Sequence, residues 1–264
     1  MKRIKNLIKK ILGLGEKNNN DVQLGLVYIG SSSHGYWIPS GFLNNHSVCY
    51  CVGAGDDISF DTELKTRYNS NIFIFDPTPA AKEHFMMLKD ISGKNQPMPT
   101  VSQDGSYRYK INFTQLDEIN FIETGVWSHK TILKFHDPGL NNYVSHSVYL
   151  FKDSENVLEL PVDSIKNFMA GHGHSSVDLV KLEIEGAEYA VIDSILTDKA
   201  DVKMILVEFD EIFHVKGIAH LLRIRKTCKQ LEKAGYVLAH STKSLKRTFI
   251  RKDVYNQIKS GTKN

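Results

Sequence analysis

Residues 50–79 read YCVGAGDDISFDTELKTRYNSNIFIFDPTP, and two short apolar runs lie in and around this stretch. The first run, residues 47–52, is rich in β-forming residues and ends at a glycine turn; the second, residues 71–75, ends at Asp76. Residues 61–68 between them have the apolar spacing of a helix. Because parallel strands need a crossover, usually a helix, the stretch predicts a strand, a helix and a second, parallel strand.

The same alternation continues towards the end of the chain. Further strands are predicted at residues 119–123, 131–135, 177–184 and 202–208. Helices are predicted at residues 79–89, from 185–186 to 195, and at 218–233, and a polar connection at 91–114. Residues 236–241 and 248–251 predict an antiparallel hairpin at a sheet edge. We find no internal repeat, so we expect residues 21–264 to form one α/β domain, a mostly parallel sheet with helices on both faces.

The turn Gly53-Ala54-Gly55 follows the first strand, where glycine permits a tight turn and close approach of a ligand. Asp76 lies 21 residues beyond the turn, a spacing that suits a carboxylate binding both hydroxyls of an adenosine ribose. Dinucleotides and S-adenosylmethionine both use this arrangement. Dinucleotide sites have a glycine where this chain has Ile58, and Asp56 and Asp57 would repel a pyrophosphate. The residues favour S-adenosylmethionine; the alternative is a turn that serves only as a corner.

Two long segments resemble the FkbM family of S-adenosylmethionine-dependent methyltransferases. Residues 50–79 resemble its first two motifs, and residues 177–188, VDLVKLEIEGAE, resemble a later one. Weaker matches lie at residues 125–127, 145–147 and 206–210, so the resemblance runs from about residue 35 to 252. It implies a Rossmann-like class I methyltransferase fold with a seven-stranded sheet, and methylation of a hydroxyl, often on a sugar or a natural product.

The resemblance also implies roles for individual residues. The expected cofactor-binding residues are Gly53, Ala54, Gly55, Asp57, Ser59, Asp76, Pro77, Thr78, Gly125 and Val126. Asp57 and Ser59 are expected near the amino acid moiety of the cofactor or at the start of the following helix. Asp76 would bind the ribose, Pro77 and Thr78 would lie under the adenine, and Gly125 and Val126 would close that pocket.

Catalysis on a hydroxyl requires removal of its proton, by a nearby base or by a metal ion that lowers its pKa. The candidate catalytic residues are Glu183, Glu185 and His214. Two positions depart from the family pattern: Glu183 stands where the family more often has Asp, and Asp210 stands where a His is common. Glu183, Glu208 and Asp210 also form a candidate site for a divalent metal.

Other readings of these residues stay open. Glu185 and Glu188 are also explained as acids that start a helix, where they favour the positive end of its dipole. His34, His136 and His146 fall in loops on the predicted acceptor side, and the sequence does not select among them as a base. A non-catalytic module with the same fold therefore remains an alternative.

The charge distribution bears on partners. The net charge is +3, but residues 1–17 carry six basic groups and one acid, so the remainder carries −2. This balance disfavours a nucleic-acid partner. A nucleic-acid methyltransferase is further disfavoured because no Asn/Asp-Pro-Pro-aromatic motif follows the fourth strand. The expected partner is a small-molecule or glycan acceptor, and the sequence leaves the oligomeric state open.

The N-terminal residues form a pattern of their own. Within residues 1–15, apolar residues recur at helical spacing, and lysines occupy the opposite face of the predicted helix. The apolar residues are Ile4, Leu7, Ile8, Ile11 and Leu12. This predicts an amphipathic helix in peripheral contact with a membrane, followed by a polar linker to residue 20. The alternatives are a helix packed on the domain and a frayed terminus. Three cysteines without disulfide or zinc spacing predict a cytoplasmic protein, at the inner membrane surface if the helix binds lipid.

Overall fold

The computed structural model describes residues 13–14, 24–101, 105–136, 157–209, 218–243 and 246–261. Its strands are β1 (Leu26–Ile29), β2 (Tyr36–Pro39), β3 (Val48–Val52), β4 (Asn71–Phe75), β5 (Thr100–Val101), β6 (Tyr107–Arg108), β7 (Asn120–Ile122), β8 (Gly125–Val126), β9 (Thr131–His136), β10 (Val157–Asp163), β11 (Val177–Leu182), β12 (Val202–Glu208), β13 (Tyr236–Ser241) and β14 (Lys246–Arg251). Its helices are α1 (Ser59–Tyr68), α2 (Pro79–Gly93), α3 (Phe113–Asp117), α4 (Ile165–His172), α5 (Glu188–Thr197), α6 (Ala219–Lys233) and α7 (Lys252–Ser260).

Seven of these strands form the central sheet, in the order β13-β14-β12-β11-β3-β4-β7. β12, β11, β3, β4 and β7 pair in parallel, whereas β14 runs antiparallel to both β12 and β13. This confirms the predicted α/β fold. Since the chain leaves β3 towards β4 and later returns on the other side at β11, the strand order reverses between β3 and β11. Ligands of such sheets bind at the carboxyl ends of the strands at this switch point.

Each face of the sheet supports its own core because side chains alternate along the strands. On β3, Cys49 and Cys51 face one core and Tyr50 and Val52 the other. The first core is covered by α1, α2, α3, α7 and the β1–β2 hairpin, and the second by α4, α5 and α6. All three cysteines, including Cys228, are buried free thiols, as expected.

The smaller sheets contain strands that sequence periodicity either did not predict or did not place in the correct sheet. β9 was predicted, but it pairs antiparallel with β10 in a three-stranded sheet with β8 and lies outside the central sheet. Its residue Ile132 is 66% exposed, whereas Val126 on β8 and Val162 on β10 are buried. The β1–β2 hairpin and the C-terminal helix α7 were not predicted.

The predicted N-terminal amphipathic helix lies largely outside the described residues. Leu14, at its end, is 2% exposed within the second core, and its carbonyl accepts a hydrogen bond from Nη2 of Arg247 at 3.3 Å. In the part of the chain that the structure describes, no helix combines the length and apolarity needed to cross a membrane.

Lys181 is a fully buried cation near the carboxyl end of the central strand β11. Its Nζ lies 3.5 Å from Oδ2 of Asp61 on α1 and 3.2 Å from Oε2 of Glu183. A second ion pair, between Asp178 on β11 and Lys203 on the neighbouring strand β12 at 2.8 Å, is partly exposed. The two pairs therefore differ mainly in their access to water.

Lys181→Met is expected to lower the free energy of unfolding by about 3–5 kcal/mol, because removal of one partner leaves a buried charge uncompensated. Lys203→Met, the matched control, is expected to cost about 0–1 kcal/mol. Denaturant unfolding monitored by circular dichroism measures both variants. Equal losses for the two would contradict the assigned role of Lys181.

Candidate active site

The glycine turn after β3 is shaped by the end of β11. A Cβ atom on Gly53, whose φ is +85°, would lie 1.9 Å from the carbonyl oxygen of Glu183, so only glycine fits there. At Gly55, with φ +51°, no atom of the described residues lies within 4 Å of an added Cβ. The turn is therefore packed against the protein at its first glycine and open at its second.

Asp76, at the end of β4, holds this turn in place. Its Oδ2 accepts hydrogen bonds from the amides of Ala54 and Gly55 at 2.8 and 3.2 Å. Its Oδ1 accepts from the amide and hydroxyl of Thr78 at 2.9 and 2.6 Å. The structure thus brings together the turn, Asp76 and Thr78. Because a carboxylate offers about four acceptor positions, ribose hydroxyls would have to share its oxygens with these protein donors.

Pro77, Gly125 and Val126 lie next to Asp76. A Cβ on Gly125 would lie 3.1 Å from Cγ of Pro77 and 3.1 Å from Cγ1 of Val162, and Val126 is buried. The segment after β7 therefore packs directly on the residue that follows Asp76. The predicted role of these residues around an adenine stays a prediction.

Asp57 and Ser59 organise the start of α1. The carboxylate of Asp57 accepts from the amide of Ser59 at 2.8 Å and from the hydroxyl of Ser31 at 2.6 Å. Ser59 in turn accepts from the amide of Ser31, and the amide of Ile58 donates to the Tyr109 hydroxyl. Two amides that a pyrophosphate would use at this helix start are therefore already bonded, which argues against a dinucleotide. A contact of Asp57 or Ser59 with a cofactor stays a prediction.

His34, in the loop between β1 and β2, is paired with Asp57. Its Nδ1 lies 3.0 Å from Oδ2 of Asp57, while 43% of its side chain is exposed. Burial lowers the pKa of His34, but the bond to Asp57 and the nearby Glu183 outweigh burial and raise it above 6.5. The pKa of Asp57 is held well below its usual range despite burial, since His34, Ser31 and Ser59 all donate to it. Of the three histidines left open by the sequence, His146 lies outside the described residues and His136 is the last residue of β9 rather than part of a loop. The structure places His34 beside a carboxylate and close to Glu183.

Glu183, just beyond β11, is held between two lysines. Its Oε1 lies 2.7 Å from Nζ of Lys246, and its Oε2 lies 3.2 Å from Nζ of Lys181. Burial would raise the pKa of Glu183, but the two ammonium groups hold it well below its usual range. The carboxylate is therefore charged and has little affinity for a proton.

The same lysine bears on the predicted metal site, which stays a prediction. Nζ of Lys246 also lies 2.9 Å from Oε2 of Glu208, whose pKa is raised by burial in spite of this contact. The ammonium group takes the position between the two glutamates that a divalent cation would need. Over the described ranges, no group of three or more histidines, cysteines or acids could hold a metal. Asp210, the third predicted ligand, and His214, a predicted catalytic residue, lie outside those ranges.

Glu185 and Glu188 belong to the sharp loop between β11 and α5. Glu185 has φ +51° and Gly186 has φ +101°. Oε1 of Glu188 accepts from the amides of Ile184 and Gly186, both at 3.1 Å, while its buried Oε2 has no partner among the residues that the structure describes. Burial raises the pKa of Glu188 to about 8. Glu188 thus fixes the loop as a neutral acid, and Glu185 stays a predicted catalytic residue.

The family model for the methyltransferase FkbM domain matches residues 44–238. The chain belongs to the FkbM methyltransferase family. The match starts before β3 and ends within β13, so it includes the turn, Asp76, Glu183 and Glu188. It confirms the resemblance found in the sequence, and the central sheet described above is that of a Rossmann-like class I methyltransferase.

Several solved structures are similar to this FkbM protein at low identity. They include precorrin-6y C5,15-methyltransferase from Geobacter metallireducens (12% identity, 80% of this chain and 81% of that one, TM-score 0.37). A second is the Methanococcus jannaschii fibrillarin pre-rRNA processing protein (10% identity, 90% of this chain and 87% of that one, TM-score 0.39). A third is M. jannaschii TYW2 in complex with AdoMet (9% identity, 86% of this chain and 86% of that one, TM-score 0.30). A comparison with curated protein sequences gives no significant match.

The buried carboxyl of Glu188 predicts a pH effect on stability. Its pKa is about 8 in the folded protein against an ordinary 4.5, so folding retains a proton that the unfolded chain releases. The associated stability is fully present below about pH 4.5 and is lost as the pH rises to about 8. Glu188→Gln keeps the oxygen that accepts both amides and removes the titration. Its stability relative to wild type is expected to rise by roughly 1.4 kcal/mol for each pH unit in that interval.

Urea unfolding of wild type and Glu188→Gln at a series of pH values measures this difference. Glu123→Gln, at a largely exposed glutamate, serves as the control and should follow the wild-type curve. If the Glu188→Gln curve also runs parallel to wild type, Glu188 is ionised in the folded protein and the assignment is wrong.

Proposed function

We propose that this protein is an S-adenosylmethionine-dependent O-methyltransferase that acts on a hydroxyl of a saccharide or another small-molecule acceptor. Family membership supports methyl transfer. The main support for the cofactor assignment is the glycine turn, which Asp76 holds through hydrogen bonds to two of its amides and which leaves space for a ligand at Gly55. The cytoplasmic location and the membrane contact of residues 1–15 belong to the same proposal.

The residues present fit the cofactor. Gly55 offers space where a side chain would obstruct a ligand, and Asp76 stands beside it as a hydrogen-bond acceptor. The amide of Ser59, the first residue of α1, already donates to the carboxylate of Asp57, which suits a cofactor without a pyrophosphate. Asp76 would bind the ribose hydroxyls, and Pro77, Gly125 and Val126 would enclose the adenine.

S-adenosylmethionine, when bound, supplies a methyl group on a positively charged sulfur. The chain's task is to orient the acceptor hydroxyl and to take its proton. Glu183 is poorly suited to the second task because two ammonium groups hold its carboxylate in the charged form. We assign to Glu183 the role of fixing Lys246 and the end of β11.

His34 is the better base. It is exposed enough to meet a substrate, it is held by Asp57 through Nδ1, and it lies close enough to Glu183 to be affected by its charge. A base oriented by a carboxylate is a recurrent arrangement, and a pKa near the working pH favours proton transfer. The neutral imidazole would accept the proton of the acceptor hydroxyl, and Asp57 would stabilise the resulting imidazolium.

Gly55→Ala is expected to raise the Kd for S-adenosylmethionine at least tenfold, measured by isothermal titration calorimetry. The added methyl group meets no protein atom, so the loss would come from the ligand side. Gly261→Ala is the control, because Gly261 also has positive φ (+69°) and open space but lies at the end of α7. The cofactor assignment would be refuted if the wild type bound NAD in place of S-adenosylmethionine. It would also be refuted if Gly55→Ala and Gly261→Ala bound S-adenosylmethionine with the same Kd.

The methyltransferase rate is expected to rise with pH through the pKa of His34, since only the neutral imidazole accepts a proton. Asp57→Asn removes the carboxylate that raises this pKa, so it should move the rise to lower pH. His34→Gln should lower kcat by about 10²–10⁴-fold. His46→Gln, at an exposed histidine before β3, should change nothing.

Two measurements check the role of His34. Transfer of labelled methyl groups from S-adenosylmethionine to cell-envelope saccharide fractions gives the rates. NMR titration of the imidazole carbons gives the pKa independently of any acceptor. A pH profile unchanged in Asp57→Asn, or full activity of His34→Gln, would exclude His34 as the base. No transfer to any fraction by an S-adenosylmethionine-binding wild type would favour the non-catalytic module.

A further inference from the structure

The β1–β2 hairpin presents two aromatic rings on its outer face. Tyr28 and Trp37 lie directly opposite each other in the antiparallel register of the hairpin. Their neighbours Ile29, Tyr36 and Ile38 point the other way and are buried. Trp37, by contrast, is 37% exposed. Because side chains alternate along a strand, one face of the hairpin packs on the domain and the other leaves the tryptophan in contact with solvent.

Trp37 is held in place although it is exposed. The centroid of its ring lies 5.5 Å from that of Tyr28, in an edge-to-face arrangement, and 5.6 Å from that of His240 on β13. Its carbonyl oxygen accepts a hydrogen bond from the hydroxyl of Thr248 on β14 at 2.8 Å, which ties the hairpin to the central sheet. An aromatic side chain fixed in this way loses little conformational freedom when a ligand packs against it.

Tyr28 connects this tryptophan with the loop that carries the proposed base. Its hydroxyl donates to the carbonyl oxygen of Ser31 at 2.7 Å. Its ring lies against Gly35, where an added Cβ would be 2.5 Å from Cζ of Tyr28. His34 lies in the same loop, and its amide donates to the hydroxyl of Ser31 at 3.1 Å. The rings of Trp37 and Tyr28 and the loop of His34 therefore lie side by side.

The two rings also lie close to the charged end of β11. Burial raises the pKa of Tyr28, while the nearby charges of Lys246 and Glu183 shift it in opposite directions. Lys246 is already paired with Glu183 and Glu208, so its charge is compensated within the protein. A surface of aromatic rings beside compensated charges favours a neutral ligand over an anion.

A neutral sugar ring has the shape and chemistry for this surface. A pyranose with mainly equatorial hydroxyls has a flat face of C–H groups, which packs on an aromatic ring, and hydroxyls around its edge, which stay free to react. Trp37 lies three residues beyond His34. Three residues of extended chain span at most about 10 Å, a distance that one or two sugar units bridge.

We propose that Trp37, oriented by Tyr28, is an acceptor subsite on which the flat face of a neutral pyranose ring packs while a hydroxyl of the same saccharide reaches His34. This deepens the proposed function, on which it rests, by naming the acceptor as a neutral pyranoside. It also assigns the acceptor to the β1–β2 side of the sheet edge, and it explains why a large aromatic ring is fixed in an exposed position next to the proposed base.

The chain offers an internal reporter for the test. It has two tryptophans, Trp37 and Trp127, so Trp127→Phe leaves Trp37 as the fluorophore. The probes are the methyl glycosides of glucose, galactose, mannose and rhamnose, with sorbitol as an acyclic polyol and glucuronic acid as an acidic sugar. Each is titrated with and without S-adenosylmethionine. We expect at least one glycoside to bind at least tenfold more tightly than sorbitol and more tightly than glucuronic acid.

Two results of this titration would overturn the proposal. If no glycoside gives a saturable change in Trp37 fluorescence, or if sorbitol binds as tightly as the best glycoside, the tryptophan is not a subsite for a sugar ring. If glucuronic acid binds more tightly than every glycoside, the acceptor is not a neutral pyranoside.

Transfer of labelled methyl groups to a cell-envelope saccharide fraction gives a second readout. Trp37→Leu removes the flat ring and should raise the apparent KM for the fraction at least tenfold, with little change in kcat. Trp37→Tyr, which keeps a ring, should retain most of the affinity. Phe113→Ala, at an aromatic residue on α3 that is 45% exposed, is the matched control and should leave the KM unchanged. Calorimetry should give the wild-type Kd for S-adenosylmethionine in all three variants.

A purely structural role of Trp37 predicts a different result, because aromatic pairs across a hairpin also stabilise it. Trp37→Leu would then lower the midpoint of urea unfolding and leave the apparent KM unchanged, which would overturn the proposal. An equal rise of the KM in Phe113→Ala would overturn it as well. If Trp37→Leu does not fold, the fluorescence titration, which keeps Trp37 in place, decides alone.

These outcomes are separable from a failure of the proposed function. A wild type that binds no S-adenosylmethionine would refute that function, whatever the glycoside titration shows. A wild type that transfers methyl groups to saccharides with the same apparent KM as Trp37→Leu would leave the proposed function standing and refute the subsite.

Discussion

The carboxylate of Glu183, fixed between the ammonium groups of Lys181 and Lys246, is the interaction on which the active edge of the sheet depends. It ties β11 to β14 and, through Lys181 and Asp61, to α1. Buried charges are costly unless they are paired, so these contacts hold the three elements in one register. The backbone oxygen of the same residue excludes any side chain at Gly53. One position thus shapes both the charge network and the glycine turn.

The network also decides which group can do acid–base chemistry. Asp61, Lys181, Glu183, Lys246 and Glu208 alternate in sign along the chain of contacts. A carboxylate surrounded by cations gives up its proton readily and takes it back poorly, whereas an imidazole held by a carboxylate does the reverse. Because charge pairing at the end of β11 keeps Glu183 ionised, we propose His34 rather than Glu183 as the base. His34 lies in the loop between β1 and β2, which are outside the parallel sheet.

How well each feature could be predicted depends on how far apart in the sequence the interacting residues lie. β4 and β12 were predicted at their observed bounds because apolar runs between turn residues are local signals. β1 and β2 have four residues each, and β10 contains Pro161, which weakens a strand pattern. The Lys181–Asp61 contact joins residues 120 apart, so its partner was hidden. The signal that was available was Lys181 itself, a charge inside an apolar strand that had to be paired.

Charge is sorted around the switch point in a way that net composition conceals. The proposed cofactor side carries acids, Asp76 and Glu183 among them, which would suit a positively charged sulfonium. Because local potentials in clefts steer ligands more strongly than net charge does, the placement of these acids matters more for cofactor binding than the net charge of the domain. In the proposed reaction, the sulfonium would be drawn to the end of β11.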